Sequence, residues 1–226
     1  GRASRPSRRG DPEDALTQGD AHAGSAFTAR ELDRLLDVIE HEIAPLTRAG
    51  VARGDKVFGA AILRAGDLST VVAATNLETE NPLFHGEISA INAYYAMVAD
   101  NPAARCPPAD SLFLSTHEPC TMCASAIAWG GYRRVVYLFS HEDSRDAFAI
   151  GHDLKILEAL YGCGPGAYAR ENAYWTAQGL RDGVAALPAP ERAPLEARLA
   201  RIAALYAELS AAYQARKGAS PNILLG

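Results

Sequence analysis

The sequence predicts an α/β protein, and three observations carry that prediction. A helical stretch of apolar periodicity leads into two short apolar strands. A strand, a helix and a strand then follow one another directly between residues 111 and 139. The composition, 48% hydrophobic, 22% charged and 8% aromatic over 226 residues, is that of a chain with an ordinary buried core. A strand–helix–strand unit closes by parallel pairing and a right-handed crossover, which puts a helix on the face of its sheet. At this length ~70% of the unfolded surface can be buried without disulfide staples, and one domain is expected rather than two.

Residues 1–26 hold Arg, Ser, Gly, Asp and small residues, with Leu16 the one large aliphatic side chain before Phe27; they are expected to form a flexible tail. Order begins at Thr28, because Thr28-Ala29-Arg30-Glu31 has capping-box spacing and precedes Leu32, Leu35, Leu36, Ile39, Ile43 and Leu46 on one helical face. This helix is expected to end between Pro45 and Gly50. Lys56 to Leu63 and Ser69 to Thr75 read as strands of a hairpin, with Arg64-Ala65-Gly66-Asp67 as the turn. Gly86 to Ala99 reads as a helix carrying Ile88, Ile91, Tyr95 and Val98 at helical spacing. Ser111 to Thr116 reads as a strand, Pro119 to Gly130 as a helix opened by its proline, and Arg134 to Phe139 as a strand. Farther on, Asp153 to Tyr161 is expected to be helical, Gly162 to Gly166 to be a loop, and Ala167 to Thr176 fits either helix or strand. A last helix carries Leu195, Leu199, Ile202, Tyr206, Leu209 and Tyr213 at steps of three and four. The expected organisation is one domain over residues 27–226, with a helical extension from about residue 162.

The charge balance is 22 Lys+Arg against 27 Asp+Glu, a net −5, which offers no bulk attraction to a polyanion. No apolar run approaches the ~18 residues of a membrane span. The N-terminal residues lack the apolar core of a secretory signal, so the cytoplasm, with reduced thiols, is the expected compartment. Of the four cysteines, Cys120 and Cys123 are then available for a metal.

The chemistry concentrates in His85-Gly86-Glu87 and Pro119-Cys120-Thr121-Met122-Cys123. An imidazole and two thiolates are good zinc ligands, and three protein donors leave a tetrahedral ion one open position. Both segments fall at expected helix starts, where unpaired N–H groups and the helix dipole favour thiolates. Cys120 and Cys123 share one face of a first turn. Glu87, two residues from His85, is placed to act on a zinc-activated water as general base and then general acid. The chemistry this predicts is hydrolysis by a metal-activated water.

This H-x-E with P-C-x-x-C is the signature of zinc deaminases that act on nucleobases. From Phe27 to Asp153 the chain resembles the cytidine deaminase-like superfamily. In detail it resembles the guanine deaminase and tRNA adenosine deaminase branch, through Phe58-Gly59-Ala60, Asn76, Glu118 before Pro119, and Ala126-Ile127-Ala128-Trp129. The resemblance implies a three-layer α/β/α fold with a central mixed sheet of about five strands, a Zn²⁺ ion on His85, Cys120 and Cys123, and Glu87 as catalytic residue. It also implies substrate contacts from Asn76 to the base, from Phe58 against it, from the backbone at Gly86, and from Asp153 in Gly151-His152-Asp153. The family's usual H-A-E has become His85-Gly86-Glu87, which is expected to loosen that turn. Family members usually associate, often as homodimers.

The function expected is a deaminase of a free nucleobase or related small amino-heterocycle, guanine-like purines favoured. A tRNA adenosine deaminase is the alternative, disfavoured by the −5 charge. A non-catalytic zinc-fold binding module is a further one, and it would have no use for Glu87. A closed structural site would need a fourth ligand from His117, His141, Cys106 or Cys163.

Overall fold

The computed structural model describes residues 26–164, 167–218 and 220–223. Residues 1–25 of the expected tail lie outside the described residues. Thr28 caps α1 (Ala29–Asp37) with the expected box: its Oγ1 accepts from Glu31 N at 3.3 Å, and Glu31 Oε2 accepts from Thr28 N at 2.8 Å. The helix does not end between Pro45 and Gly50 but runs on to Arg53. A π-helical stretch, Val38–Ile43, leads into α2 (Ala44–Arg53), which ends at left-handed Gly54 (φ 108°). The wider π turn resets the hydrogen-bond register, so Pro45 falls in a first turn where its missing N–H leaves no bond unmade.

The hairpin strands are β1 (Gly59–Arg64) and β2 (Thr70–Thr75). β1 starts three residues later than its apolar run, because the ladder ends at Gly59↔Thr75. The carbonyl of Phe58 is instead taken by Asn76 N (2.8 Å) and Thr75 Oγ1 (3.2 Å). The next four elements lie where periodicity put them: α3 (Gly86–Asp100), β3 (Ser111–His117), α4 (Thr121–Trp129) and β4 (Arg134–Phe139). Then come α5 (His141–Asp146) and α6 (His152–Tyr161). The ambiguous stretch before residue 176 is mostly irregular, and a four-residue strand, β5 (Thr176–Gly179), follows it. The chain closes with α7 (Leu180–Ala185) and α8 (Ala189–Gln214), the latter beginning six residues before the first leucine of its stripe and holding Pro194 inside.

The sheet order is β2-β1-β3-β4-β5. β1 is antiparallel to both β2 and β3, whereas β3, β4 and β5 run parallel. The sheet is therefore mixed, and both faces are covered. Leu112, Leu114, Val136 and Leu138 join α1, α2 and α8 in one core, while Phe113, Val135 and Tyr137 join Tyr94 of α3 and Ile127 of α4 in the other. This period-two alternation, with both sides apolar, is the pattern of strands buried on two faces. Because β1 opposes both neighbours, β2, β3 and β4 all end at the same rim of the sheet, where α/β proteins build their sites. Thr116 closes that rim: its Oγ1 accepts from Gly59 N and donates to Gly59 O, both at 3.0 Å, just beyond the last β1–β3 ladder pair, Ala60↔Ser115.

Candidate metal centre and active site

Two helix starts meet at this rim. His85 is the residue before α3, Cys120 the residue before α4, and Cys123 lies in the first turn of α4. His85 Nδ1 lies 3.5 Å from Cys120 Sγ and 3.7 Å from Cys123 Sγ, and the three donor atoms are all within 4.8 Å of one another. A tetrahedral zinc with Zn–S ~2.3 Å and Zn–N ~2.0–2.1 Å would set its N···S separations near ~3.6 Å. The donor set therefore fits zinc in both chemistry and span.

The electrostatics agree. The Cys123 side chain hydrogen-bonds Cys120 and, with the adjacent His85, holds the Cys120 thiol well below its usual range against the effect of burial. Burial pushes Cys123 up, and the neighbouring Cys120 adds to it. The pair is thus polarised, the Cys120 sulfur favouring the thiolate and the Cys123 sulfur the thiol. Burial works against a charged imidazole, but the Cys120 thiolate outweighs it and lifts His85 to about 9.

Glu87, in the first turn of α3, is buried and points at the same cluster. Ser115 Oγ donates to its Oε1 at 3.1 Å, and the Cys123 thiol also hydrogen-bonds it. Burial pushes the Glu87 carboxyl up to about 7, with the Cys120 thiolate adding to the shift and His85 opposing it. A carboxyl held near neutrality is suited to taking up and giving back a proton. None of His117, His141, Cys106 and Cys163 joins the donor group among the described residues. His117 stacks its edge against Phe58 and also meets Phe139 and Phe148, and burial drives its pKa down to about 3. His141 Nε2 faces the Pro119 carbonyl at 3.2 Å. Cys106 contacts Ser111, and Cys163 contacts the Tyr161 carbonyl.

The remaining sequence candidates stand in different relations to the cluster. The Phe58 ring centroid is 6.4 Å from that of His85. Asp153 opens α6, where burial lifts its carboxyl to about 6; the Cys120 charge adds to this and those of His85, Lys56 and His141 oppose it, so the group lies within electrostatic reach of the centre. Asn76 is fully buried, with its polar atoms engaged inside the chain: Oδ1 accepts from Glu78 N (3.0 Å) and Lys56 N (3.3 Å), and Nδ2 donates to Glu78 Oε2 (2.7 Å).

Gly86 does not act as a loose turn. It is helical, without positive φ, and a Cβ placed on it would stand 2.7 Å from Gly59 Cα and 2.9 Å from the Phe58 carbonyl carbon. The start of α3 is thus pressed onto the start of β1, backbone to backbone. Gly86→Ala is expected to lower stability by about 1–3 kcal/mol, because overpacking against backbone outweighs the ~1 kcal/mol of helix propensity that Ala gains. Urea denaturation checks this; an unchanged midpoint would mean the rim yields freely.

Two carboxylates near the centre are buried: Glu118, marked in the sequence by its place before Pro119, and Glu78, which no motif marks. Glu78 contacts Lys56 Nζ at 3.0 Å and approaches His85 Nε2 at 3.7 Å. Glu118, just before Pro119, accepts from His141 N (3.0 Å), Tyr168 OH (2.6 Å), and Arg170 Nε and Nη2 (2.9 and 2.7 Å). Nothing in local spacing separates Glu78 from the nearby Glu80; burial does. Through Glu118 the extension reaches the cysteine loop, and Tyr161 and Tyr168 help line a cavity of about 360 Å³ beside Pro119 and Thr121.

A mixed five-stranded α/β/α sheet that brings one His and two Cys together at helix starts, with a buried carboxylate beside them, defines a zinc-binding protein of hydrolase type. Residues 38–139 match the family model of the cytidine and deoxycytidylate deaminase zinc-binding region. Among solved structures, the chain is similar to a guanine deaminase from Nitrosomonas europaea, at 22% identity and TM-score 0.49 over 93% of this chain and 100% of that one. It is also similar to a guanine deaminase from Bacillus subtilis, at 28% identity and TM-score 0.40 over 51% of this chain and 68% of that one. A structure from work on A-to-I editing by tRNA:A34 deaminases has 21% identity and TM-score 0.39 over 59% of this chain and 92% of that one. No curated protein matches the chain.

Proposed function

We propose that the protein is a zinc-dependent hydrolytic deaminase of a free nucleobase or related small amino-heterocycle, with guanine-like purines favoured. The observation that carries this reading is the buried Glu87 beside a three-donor group, since a closed structural zinc site has no need of a carboxylate that is not a ligand. His85, Cys120 and Cys123 would hold the ion. Bound zinc acidifies water towards pKa ~7 and so supplies hydroxide near neutral pH. Glu87 would accept the water's proton and pass it to a ring nitrogen, then take the proton of the newly added hydroxyl and give it to the departing amine; water and C–NH₂ become C=O and ammonia. The Ser115 hydroxyl holds the Glu87 carboxyl in place for both transfers.

The small-base preference rests on charge. The chain is net −5, which offers no attraction to a phosphate backbone, and Asp153, whose carboxyl feels the Cys120 charge, would complement the N–H edge of a purine. Phe58, Asn76 and the Gly86 backbone belong to the same reading as the groups around the base, and the reduced thiols it requires suit a cytoplasmic setting. The test is a zinc determination together with ammonia release from guanine, adenine, cytosine, their nucleosides, aminated pterins and triazines, with a tRNA alongside. Zinc near one per chain and turnover of a purine base are expected. Turnover of tRNA and of nothing else would overturn the substrate class, and zinc without any turnover would favour a binding module.

Assembly as a homodimer is also proposed. Trp129, at the end of α4, is 92% exposed, and Tyr95 on α3 is 47% exposed, aromatic area that a second copy would cover. Light scattering is expected to give twice the 24.0 kDa chain mass, and Trp129→Glu to return it to one. A wild-type monomer at micromolar concentration would remove the proposal.

A further inference from the structure

We infer that Glu78 is a positioning residue for the metal centre, fixing the His85 ring so that Nδ1 faces the metal and Nε2–H faces a carboxylate. The inference rests on the zinc reading above and extends it to a loop acid that no sequence motif marks.

The geometry is specific. Glu78 is 3% exposed and lies in the loop between β2 and α3. Its Oε2 accepts from Asn76 Nδ2 at 2.7 Å, while its Oε1 lies 3.0 Å from Lys56 Nζ and 3.7 Å from His85 Nε2. The opposite ring nitrogen, Nδ1, is the one that faces both cysteine sulfurs. A neutral imidazole carries a single N–H, so an unprotonated Nδ1 turned to the metal requires Nε2–H on the side of Glu78. Ligating histidines are regularly oriented in this way by a carboxylate on the second nitrogen, which also makes the ligand more basic.

The supporting groups are themselves held. Asn76 Oδ1 accepts from the backbone N–H groups of Glu78 and Lys56, so one buried amide ties the carboxylate and its ammonium partner to the same point of the loop. Leu77 N donates to the Phe84 carbonyl at 2.8 Å, which closes the loop so that Glu78 and His85 approach across it. Lys56 Nζ, 3.0 Å from Glu78 Oε1, gives the buried acid a partner of opposite charge. The arrangement assigns Asn76 a further job: it aims Glu78.

The test compares zinc dissociation constants, by competition with a chromophoric chelator at fixed pH, for wild type, Glu78→Gln and the double variant Lys56→Met with Glu78→Gln. The double variant removes the ammonium that the single one would leave buried and so separates folding from metal positioning. A 10–100-fold weaker zinc affinity is expected in both variants. A shifted thiolate-to-metal absorption band is expected when cobalt replaces zinc, a change that loss of stability by itself would not produce. Wild-type affinity in either folded variant overturns the inference. So does weakened affinity in the single variant that returns in the double, because Glu78 would then serve only as a counter-ion to Lys56. A wild-type chain that takes up no zinc defeats the metal site as well, whereas absent ammonia release with these affinity changes intact defeats only the deaminase reading.

Discussion

A Glu87→Gln protein is expected to keep its zinc and to lose ammonia release by a factor of ~10²–10⁴, the usual worth of a positioned general acid–base group. The substitution keeps size and shape, and the Gln oxygen can still accept from Ser115 Oγ, which now lies 3.1 Å from Glu87 Oε1. What disappears is the capacity to carry a proton between water, ring and leaving amine. That loss corresponds to about 3–5 kcal/mol of transition-state stabilisation. It should fall on kcat, since the role belongs to the reacting step and not to holding the base. Zinc content and single-turnover ammonia release check it together. Normal turnover would refute the mechanism, and joint loss of zinc and activity would make Glu87 a structural residue.

The second large effect concerns α8. Ending the chain after residue 188 is expected to abolish folding, although the matched family segment closes at residue 139. α8 buries Leu195, Ile202, Tyr206, Leu209 and Tyr213 in the core that holds Leu112 and Leu114 of β3. Each such side chain contributes roughly 1.5–3 kcal/mol on burial, and their sum rivals the ~5–15 kcal/mol by which a domain is stable. Polar contacts add direction: Arg198 meets Asp33 (2.7 Å), Glu40 (2.8 Å) and Asp37 (2.9 Å), and Ser210 and Gln214 donate to the Phe148 carbonyl. Phe148 and Tyr206 in turn pack on His117, at the end of the strand that leads to Cys120. The milder Tyr206→Ala should cost about 3–5 kcal/mol in urea denaturation and stay measurable where the truncation does not. A truncated chain with the wild-type midpoint would show that the extension is a separate unit and not part of one domain over residues 27–226.

Much of the centre could be read before any coordinates, because its signals are local. The i, i+3 spacing of Cys120 and Cys123, the proline that opens their helix, and a Glu two residues beyond a His at a second helix start are all consequences of backbone geometry within one turn. The capping box at Thr28 and the apolar periods of α3, β3 and β4 are local in the same sense, and they sufficed for an α/β fold and a zinc-type centre. Where local signals conflicted, the reading slipped. Pro45 and Gly50 signal a helix end between them, but a π turn, which no propensity marks, lets the helix continue to Arg53. Four-residue β5 was missed because its pairing with β4, and not its composition, makes it a strand.

The rest was decided by contacts between residues far apart in the chain. His85 and Cys120 are 35 positions apart and meet because antiparallel β1 turns the ends of β2 and β3 to one rim. Glu78 differs from a solvated loop acid only in being buried against Lys56 and His85, and Gly86 proves to be a close approach to Gly59 and not a flexible joint. The role of α8 likewise follows from what it covers. Periodicity, caps and ligand spacing act within a turn or two and are written in the order of residues. Burial and proximity depend on the whole chain having closed on itself, so they exist only in the tertiary structure.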